Sequence, residues 1–563
     1  MLKYKLIGDN DYLFDPKSQI LENRGIEDVN YFLNLDEKVT HSYKKLKNIN
    51  KAVECIVRHI ENKSKFLIII DSDTDGFTSA AILFQYLKMI DNNIDIKWVL
   101  HNDKSHGFTN IEIPNNVDCI LVPDGGSEDF HVHEELHKKG VDVVVIDHHE
   151  VEKESEYAIV VNSQLGGYPN LNLSGAGMVY KVCKALDDVF WTNYADYFLD
   201  LVALGNIADS MSMKELETRY YVQKGLQEIN NDFFRALLKR QEFSTKGKVN
   251  ITTINFCIAP LINAVIRVGN LKDKLDMFKS FIGVKELVKY KPRGSDEMLV
   301  PLVDDMARRC VNLKNKQARM RDKITKEIED IVNKNKLNEN KVIFVHHLND
   351  IDKGLTGLIA NQIASKYKKP TIILSGDNGE GVFKGSARGY DKSELKDFKE
   401  IILKTNLFNK AKGHSNAFGV EIHKNQFDVV NEKLNQLLGE YNFEDIYIVD
   451  FEIECKSLNE KLIYKICELE DVWGKDVEEP YLAIKNININ ECEVDLLGEK
   501  ENTISIKNGG IKFMIFKTDK LEYKKIKNAK KIDVVGKANI NIYNDQEYPQ
   551  IIVEAYEIFT QIN

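Results

Sequence analysis

Three short apolar runs, each followed directly by Asp or His residues, constrain the fold of this 563-residue chain more than any other feature. They are 66–70 before DSDTDG, 119–123 before DGG, and 143–146 before DHHE. Uninterrupted apolar runs of this length are typical of strands buried on both faces of a parallel sheet. The carboxyl ends of parallel strands meet at one edge, where open α/β sheets bind ligands. The sequence therefore predicts an α/β protein with a site at that edge.

The first acidic segment predicts a metal site. In an extended chain Asp71, Asp73 and Asp75 point to one face, where three carboxylates repel each other unless a cation lies between them. Hard oxygen ligands favour Mg²⁺ or Mn²⁺. A calcium loop is the alternative, but it needs a Glu six residues after its Gly, where this chain has Ile82, and here a strand precedes the motif.

The segments DSDTDG, DGG and DHH resemble the first three motifs of the DHH phosphoesterase superfamily, and LVALGNIAD at 201–209 resembles the fourth. Other segments are similar to one branch, the RecJ single-strand-specific exonucleases: SGAG at 174–177, PLINA at 260–264 with Arg267, GSAR at 385–388 and KGH at 412–414. The last two resemble signatures of the associated DHHA1 domain. A weaker similarity at 472–480 precedes the branch's C-terminal OB-like domain.

This resemblance implies two α/β lobes, DHH and DHHA1, with parallel-type sheets, joined by a long helix and followed by an OB-like β-barrel. Apolar residues spaced by threes and fours between Met306 and Val332 agree with the helix. The predicted divisions are an N-terminal helical extension (1–50), the DHH catalytic domain (51–230), a helical region with the connecting helix (231–336), the DHHA1 substrate-binding domain (337–445) and the OB-like domain (446–563).

By resemblance, two divalent ions, Mn²⁺ or Mg²⁺, are bound. Asp71, Asp73 and Asp124 hold one ion. Asp75, Asp124, His148 and Asp209 hold the other, so that Asp124 bridges the pair. Asp147 orients the two histidines, and His149 contacts the scissile phosphate, which makes Asp124, Asp147, His148 and His149 the predicted catalytic residues. Asp200 is the alternative ligand if Asp209 points elsewhere.

The predicted substrate-binding residues are Lys104, Ser174, Gly175, Arg267, Ser386, Arg388, Gly413 and His414. In the family, the equivalents of Ser386 and Arg388 grip a 5′-terminal phosphate, and a guanidinium suits that task because it makes two parallel hydrogen bonds. Gly413 lets the backbone approach a phosphate, and His414 donates to it. Arg267 contacts the backbone near the scissile bond. Lys104 stands near the place of a family Arg. A surface salt bridge is the alternative role for Arg388.

The resemblance implies a metal-dependent 5′→3′ exonuclease that hydrolyses single-stranded DNA to 5′-mononucleotides in recombination or repair. One alternative is a short-oligonucleotide (nanoRNase-type) or cyclic-dinucleotide phosphodiesterase, although such relatives generally lack the long helix and the OB-like domain. The other is an inactive nucleic-acid-binding adaptor, for which intact acidic ligands would have no use. We expect a monomer. RNA and short oligonucleotides are alternative substrates, and a single-strand-binding protein or a helicase is the candidate partner.

A net charge of −10 is unfavourable for phosphate contacts, although bound metal would offset part of it. Two basic clusters are candidate DNA contacts or simply solvated faces: Lys314, Lys316, Arg319, Arg321 and Lys323, and Lys524, Lys525, Lys527, Lys530 and Lys531. Tyr523, Tyr543 and Tyr548 are candidates for stacking on bases. Because every predicted site residue precedes 446, the C-terminal region is expected to be separable from the catalytic lobes.

The sequence favours a cytoplasmic protein that does not insert into membranes. No uninterrupted apolar run reaches the eighteen residues that span a bilayer, and residues 1–10 lack the apolar core of a signal peptide. The eight cysteines are scattered and form no CxxC pair. Reduced, buried thiols are therefore expected rather than zinc ligands or disulfides.

Overall fold

The computed structural model describes residues 2–102, 105–347, 351–377, 381–544 and 546–560. Residues 2–48 form one short strand, β1 (Tyr4–Leu6), two short α-helices, α1 (Pro16–Glu22) and α2 (Val29–Leu33), and two 3₁₀ turns at Glu37–Val39 and Tyr43–Lys45. Asp15 and Asp28 cap the two helices by accepting backbone N–H groups of their first turns, which explains where each begins. The extension predicted to be helical therefore contains a strand as well.

The first lobe is a five-stranded parallel sheet in the order β3-β2-β4-β5-β6. Its elements are α3 (Ile49–Glu61), β2 (Lys65–Ile70), α4 (Thr74–Ile90), β3 (Asp95–Leu100), β4 (Cys119–Pro123), α5 (Phe130–Lys138), β5 (Asp142–Asp147), β6 (Ile159–Asn162), α6 (Gly175–Phe190), α7 (Leu199–Ala208) and α8 (Leu216–Gln227). Successive residues of β2 pack into different cores: Ile68 into one, Leu67 and Ile69 into the other. Both faces of the sheet are thus covered, as the apolar runs predict.

A helical region follows, and a 33-residue helix connects the lobes. The elements are α9 (Asp232–Thr245), α10 (Ile251–Thr253), α11 (Ala259–Val268), α12 (Leu271–Phe281), the hairpin β7 (Leu287–Tyr290) and β8 (Met298–Pro301), and α13 (Leu302–Lys334). The predicted connecting helix is confirmed. Met306 and Cys310 of α13 pack in the core of the first lobe, whereas Ile328 and Val332 pack in a core of the second.

The stretch Ile251–Val268 is, by length and composition, apolar enough to cross a membrane, but half of it is buried inside the protein. A π-helical turn at Ile254–Ile258 joins α10 to α11 within it. Two polar residues of this stretch, Asn263 and Arg267, line a pocket described below. It is therefore packed as a core helix of the first lobe.

The second lobe contains β9 (Ile343–His347), α14 (Lys353–Tyr367), β10 (Thr371–Asp377), β11 (Val382–Arg388), α15 (Phe398–Lys404), β12 (Lys410–His414), β13 (Ala417–His423) and α16 (Phe427–Leu437). Its sheet has the order β12-β13-β11-β10-β9. Only β9 and β10 pair in parallel, and the other three pairings are antiparallel. The parallel character predicted for this lobe is therefore limited to its first two strands.

The C-terminal domain contains β14 (Tyr447–Val449), β15 (Phe451–Glu454), α17 (Glu460–Cys467), β16 (Leu482–Asn488), β17 (Glu493–Leu497), β18 (Thr503–Asn508), β19 (Ile511–Phe516), α18 (Lys520–Lys527), β20 (Lys531–Tyr543) and β21 (Gln546–Phe559). Seven strands form a mixed sheet in the order β15-β16-β20-β21-β19-β18-β17. The predicted β-rich domain is confirmed. Within the described residues, the end strands β15 and β17 are each paired on one side only, so hydrogen bonds do not close the sheet into a barrel.

The N-terminal segment joins the first lobe to the C-terminal domain. β1 pairs in parallel with β14, and Arg24 forms a buried ion pair with Asp450, with Nη2 3.1 Å from Oδ2. One apolar core includes both Leu21 and Ile453 and continues through the first lobe. The backbone N–H of Met213 also donates to the Lys475 carbonyl at 2.9 Å. This shared core predicts that the first lobe is less stable without the C-terminal region, contrary to the expectation that the region is separable.

Candidate metal centre

Three aspartates converge where β2 ends and α4 begins. Asp73 caps α4 by accepting the Gly76 N–H at 2.9 Å, and Asp75 lies buried in the first helical turn. The backbone is extended at Asp73, but the helix starts at Thr74, so Asp75 is not part of an extended segment as predicted. The carboxylate of Asp75 joins the others because this helix begins at the carboxyl edge of the sheet.

Asp124 occupies the centre of the cluster. It follows β4, has a left-handed φ of 68°, and is 1% exposed. Neither of its carboxylate oxygens has a hydrogen-bond partner. Burying an unpartnered carboxylate is costly unless a cation or a proton compensates it. The position and burial of Asp124 thus suit it to hold a cation, and its bridging role stays a prediction.

His148 brings a neutral donor to the same cluster. Its Nε2 lies 3.2 Å from Asp124 Oδ1, 3.4 Å from Asp209 Oδ2 and 3.9 Å from Asp75 Oδ2, and it has no hydrogen-bond partner. Burial, followed by the charge of His149, lowers the pKa of His148. A neutral imidazole with an unoccupied nitrogen is the form that binds metals. Asp75, His148 and Asp209 therefore form a second group of candidate ligands beside Asp71 and Asp73.

Asp147 holds the two histidines in place. One carboxylate oxygen accepts the His148 backbone N–H at 2.7 Å and lies 2.8 Å from Nδ1 of His149. Burial alone would raise the pKa of Asp147, but the hydrogen bond from His149 and the charges of both rings hold it well below its usual range. The same hydrogen bond raises the pKa of His149 to about 9, so this half-exposed ring is a cation at neutral pH. His149 is thus suited to contact an anion.

The carboxylates of the cluster raise one another's pKa. Burial and neighbouring acids raise the pKa of Asp209 to about 8 and hold that of Asp124 well above its usual range. Burial raises the pKa of Asp71 to about 6 against the opposing effect of His106. The five acids cannot all be ionised together without counter-charge, whereas hard divalent cations would satisfy them. The donor set fits divalent metal ions.

His106 belongs to this site and was not singled out from the sequence. Its Nδ1 lies 2.5 Å from Asp71 Oδ2, and together with Asp73 these residues form a further group of candidate ligands. The residue follows β3, whose carboxyl end lies at the same edge as that of β2. A search for histidines after every predicted parallel strand would have found it.

A pocket of about 310 Å³ opens beside the aspartates and has walls from both lobes. Asp73, Asp75 and Asp209 form its acidic wall, and Arg267 and His414 form a basic one. Thr74 donates its hydroxyl to Asn263 Oδ1 at 3.2 Å, which fixes another polar lining residue. The structure therefore brings Arg267 and His414 to the site, as predicted.

Ser386 and Arg388 lie on one face of β11, near Arg267. Ser386 Oγ lies 2.9 Å from the Thr356 hydroxyl. Burial, followed by the charge of Arg267, lowers the pKa of Arg388. The guanidinium passes close to α14, because a Cβ atom at Gly357 would lie 2.5 Å from Nη2. Arg388 thus adds positive charge near Arg267, and such a concentration of guanidinium groups favours an anionic ligand.

Gly413 has a φ of 132°, which favours glycine, and a Cβ atom there would lie 2.8 Å from the Ala417 carbonyl oxygen. Its backbone thus adopts a conformation that places His414 at the rim of the pocket. Lys104 lies outside the described residues.

Two predicted substrate contacts need correction. Ser174 is fully buried and caps α6, and its N–H donates to Asn206 at 3.1 Å. Gly175 is also buried, and its N–H donates to Asp75 Oδ2 at 2.5 Å. These residues have no surface to offer a substrate and instead position metal ligands. Asp200, the alternative ligand, accepts the Asn231 N–H at 2.7 Å and lies outside the candidate ligand groups.

Comparisons with known proteins agree with this geometry. The family model for the DHH family N-terminal domain matches residues 65–206, that for the DHHA1 domain residues 340–440, and that for the RecJ OB domain residues 449–555. The "Putative SPbeta prophage-derived single-strand DNA-specific exonuclease YorK" of Bacillus subtilis (strain 168) is 44% identical over 99% of this chain and 98% of its own length. The single-stranded-DNA-specific exonuclease RecJ of the same strain is 22% identical over 98% of this chain and 69% of its own.

The fold also matches a solved structure. RecJ of Thermus thermophilus in complex with Mn²⁺ superposes with a TM-score of 0.74 at 18% identity, over 96% of this chain and 75% of that one. The fold and the acidic centre define a metal-dependent phosphoesterase of two α/β lobes. The chain belongs to the RecJ-like branch of the DHH family.

Proposed function

We propose that this DHH-family exonuclease degrades single-stranded DNA from the 5′ end and releases 5′-mononucleotides, using two divalent ions, Mn²⁺ or Mg²⁺. The observation that carries the proposal is Asp124, whose two buried oxygens lack partners between two sets of ligands. Asp71, Asp73 and Asp124, with His106 as an added ligand, would hold one ion. Asp75, Asp124, His148 and Asp209 would hold the other.

Bound metal would supply an activated water and counter-charge for the leaving oxygen. The chain's own residues do the rest. Asp147 fixes both histidine rings, and protonated His149 stabilises the negative charge that grows on the phosphate. Arg267, which lines the same pocket as Asp73, neutralises the adjoining phosphate and holds the strand in register. Cleavage of the P–O3′ bond releases the terminal nucleotide with its own 5′-phosphate and a free 3′-hydroxyl, and the scissile phosphate becomes the new 5′ end of the remaining strand.

Recognition of the 5′ end is assigned to Ser386 and Arg388, with Gly413 and His414 beside them. A terminal phosphate carries more charge than an internal one and offers two oxygens to a guanidinium. The pocket of about 310 Å³ lies at the small end of the range of ligand sites, about 300–1,000 Å³, and suits one nucleotide better than a duplex. This supports single strands as the substrate and an exonucleolytic mode.

We assign binding of the incoming DNA strand to the C-terminal domain. Among its three candidate tyrosines, Tyr543 is 65% exposed and available for stacking. Tyr523 instead packs against the domain core, and the Lys512 ammonium lies 5.6 Å from the ring centre of Tyr548. Lys524, Lys525 and Lys527 on α18 are exposed and would attract phosphates. This chemistry favours a monomeric, cytoplasmic enzyme that acts in DNA recombination or repair. Its partner would be a single-strand-binding protein or a helicase.

The test is hydrolysis of 5′-labelled single-stranded DNA, duplex DNA and short RNA, each with Mn²⁺ and with EDTA. We expect labelled mononucleotides from the single strand with Mn²⁺ only, and none from Asp124→Ala. Preferential cleavage of two- to four-base RNA would instead identify a short-oligonucleotide phosphodiesterase. Binding of the single strand without cleavage under any metal would identify an adaptor.

A further inference from the structure

Three soft donor side chains meet in the first lobe, at the edge of its sheet opposite to the acidic centre. Cys55 and His59 lie one turn apart on α3, and Cys119 is the first residue of β4. One donor atom of each lies within 4.8 Å of the other two. Asp124 follows the other end of β4, so the five residues of this strand, about 16 Å, separate the two places.

The histidine of this cluster is arranged as metal-ligating histidines usually are. His59 is 8% exposed, and its Nε2 lies 2.9 Å from Asp142 Oδ2. Its other ring nitrogen, Nδ1, is buried and has no hydrogen-bond partner. A carboxylate that holds one imidazole nitrogen fixes the ring and leaves the second nitrogen for a metal. A buried, unpartnered nitrogen beside two thiols calls for a ligand.

The charges at the cluster also balance for a divalent ion. Two thiolates and a neutral imidazole give a charge of minus two, so a bound dication makes the buried site neutral. Arg58 Nη2 lies 3.5 Å from Cys55 Sγ and also pairs with Asp142. The hydrogen bond with Cys119 lowers the pKa of the Cys55 thiol, and the charge of Arg58 adds to this effect. Arg58 and Asp142 are partly exposed, which leaves a route from solvent to the buried donors.

We propose that Cys55, His59 and Cys119 bind one zinc ion, with water in the fourth tetrahedral position, and that this ion ties α3 to the sheet. Thiolate and imidazole donors select zinc, whereas the oxygen-rich centre selects Mn²⁺ or Mg²⁺, so the lobe would keep two kinds of metal apart. The site goes beyond the proposed exonuclease function and does not depend on it. It also revises the sequence-based expectation of plain buried thiols, because the ligand spacing is CxxxH with a distant third cysteine.

The test uses the full-length protein and measures zinc content together with the spectrum after cobalt(II) substitution. A thiolate bound to cobalt gives a charge-transfer band in the near ultraviolet, and the acidic centre contains no thiol that could produce it. The variants are Cys55→Ser, Cys119→Ser and His59→Gln. Cys183→Ser is the matched control, because this cysteine is equally buried in the same lobe.

We expect one zinc per chain and the cobalt band in the wild type and in Cys183→Ser. Zinc content should fall by about tenfold or more in the three site variants. Absence of the band in the wild type overturns the proposal, whether or not the variants fold. So does a Cys55→Ser protein with unchanged zinc. A loss of two titratable thiols without bound metal would also overturn it, because the pair would then be a disulfide.

Discussion

A Cβ atom at Gly175 would lie 2.5 Å from the Cβ atom of Asp124. The backbone N–H of the same glycine donates to Asp75 Oδ2 at 2.5 Å. One residue at the start of α6 therefore sets the positions of two carboxylates in the metal centre. Its role depends on having no side chain, because any substituent would push Asp124 away from its neighbours.

Gly175→Ala should lower the rate of hydrolysis by about 100-fold, the effect of misplacing a catalytic group by roughly 1 Å. Overpacking should also cost about 1–3 kcal/mol of unfolding free energy. Steady-state kinetics with Mn²⁺ and urea unfolding measure the two effects, and circular dichroism checks the fold. Wild-type rates in a folded variant would show that Asp124 tolerates displacement.

Asp209→Asn should weaken Mn²⁺ binding by about 10–100-fold, because Asp209 lies in one candidate ligand group with Asp75 and His148. Asp200→Asn is the matched control: it alters a buried acid in the first turn of α7, the helix that ends just before Asp209, and this acid accepts backbone N–H groups of Leu201 and Asn231. That change should cost about 1–3 kcal/mol of stability and leave metal affinity unchanged. Calorimetric titration with Mn²⁺ distinguishes the two. The reverse result would make Asp200 the ligand.

In EDTA, stability should fall as the pH rises from 6.5 to 8. The folded-state pKa of Asp209 is raised to about 8, far above that of an unfolded Asp, so the folded protein binds more protons across this window. His149, raised to about 9, has the same sign and loses its contribution as the pH approaches that value. His148 has a lowered pKa and opposes the trend mainly at lower pH. Excess Mn²⁺ should flatten the slope, and so should Asp209→Asn in EDTA. Melting temperatures that rise with pH in EDTA would contradict this account.

Arg388→Ala should reduce kcat/KM for 5′-phosphorylated single strands by about 10–100-fold, the value of a charged hydrogen-bond pair of roughly 1.5–3 kcal/mol. The effect on 5′-hydroxyl ends should be much smaller. Lys384→Ala is the control, because this lysine lies on the same strand and its exposed ammonium pairs with Glu421 at 3.2 Å. Equal loss on both kinds of end would make Arg388 a general backbone contact.

Asp450→Ala should destabilise the whole chain by about 3–5 kcal/mol, because Arg24 would stay buried without its partner. Lys17→Ala removes an exposed ion pair to Glu468 near the same junction and should change stability by less than about 1 kcal/mol.

Removal of residues 446–563 should leave the first lobe prone to aggregation, since Leu21 and the apolar residues around it would become exposed to solvent. Urea unfolding and gel filtration test these effects. A stable, active fragment of residues 1–445 would restore the separable arrangement.

The sequence predicted the elements that depend on local pattern. The apolar runs located the parallel strands of the first lobe, and the spacing from Met306 to Val332 located the connecting helix. It also located Asp124 and His148, because strand ends in a parallel sheet converge whatever the loops do. These inferences needed no knowledge of how distant segments meet.

The features that the sequence did not predict depend on tertiary contacts. Ser174 and Gly175 were taken for substrate contacts, since a motif does not reveal whether its residues face the ligand or the metal-binding acids. His106 was missed because a single histidine in a loop carries no periodic signal. The sequence also did not reveal the three antiparallel pairings of the second sheet, because strand direction is set by long-range pairing. The sequence also did not reveal the core shared by the first lobe and the C-terminal domain, because an amphipathic pattern does not show which segment it packs against.

The parallel pairing of Tyr4 with Tyr447 has a consequence for how the chain is made. During synthesis the amino-terminal strand leaves the ribosome first, yet its neighbour β14 follows only after more than four hundred further residues. Arg24 likewise meets its partner Asp450 only after more than four hundred further residues have been translated. The first lobe therefore cannot complete its core on the ribosome until the second lobe has been translated. An unfinished chain would carry the acidic residues of a nuclease without the finished scaffold that aligns them.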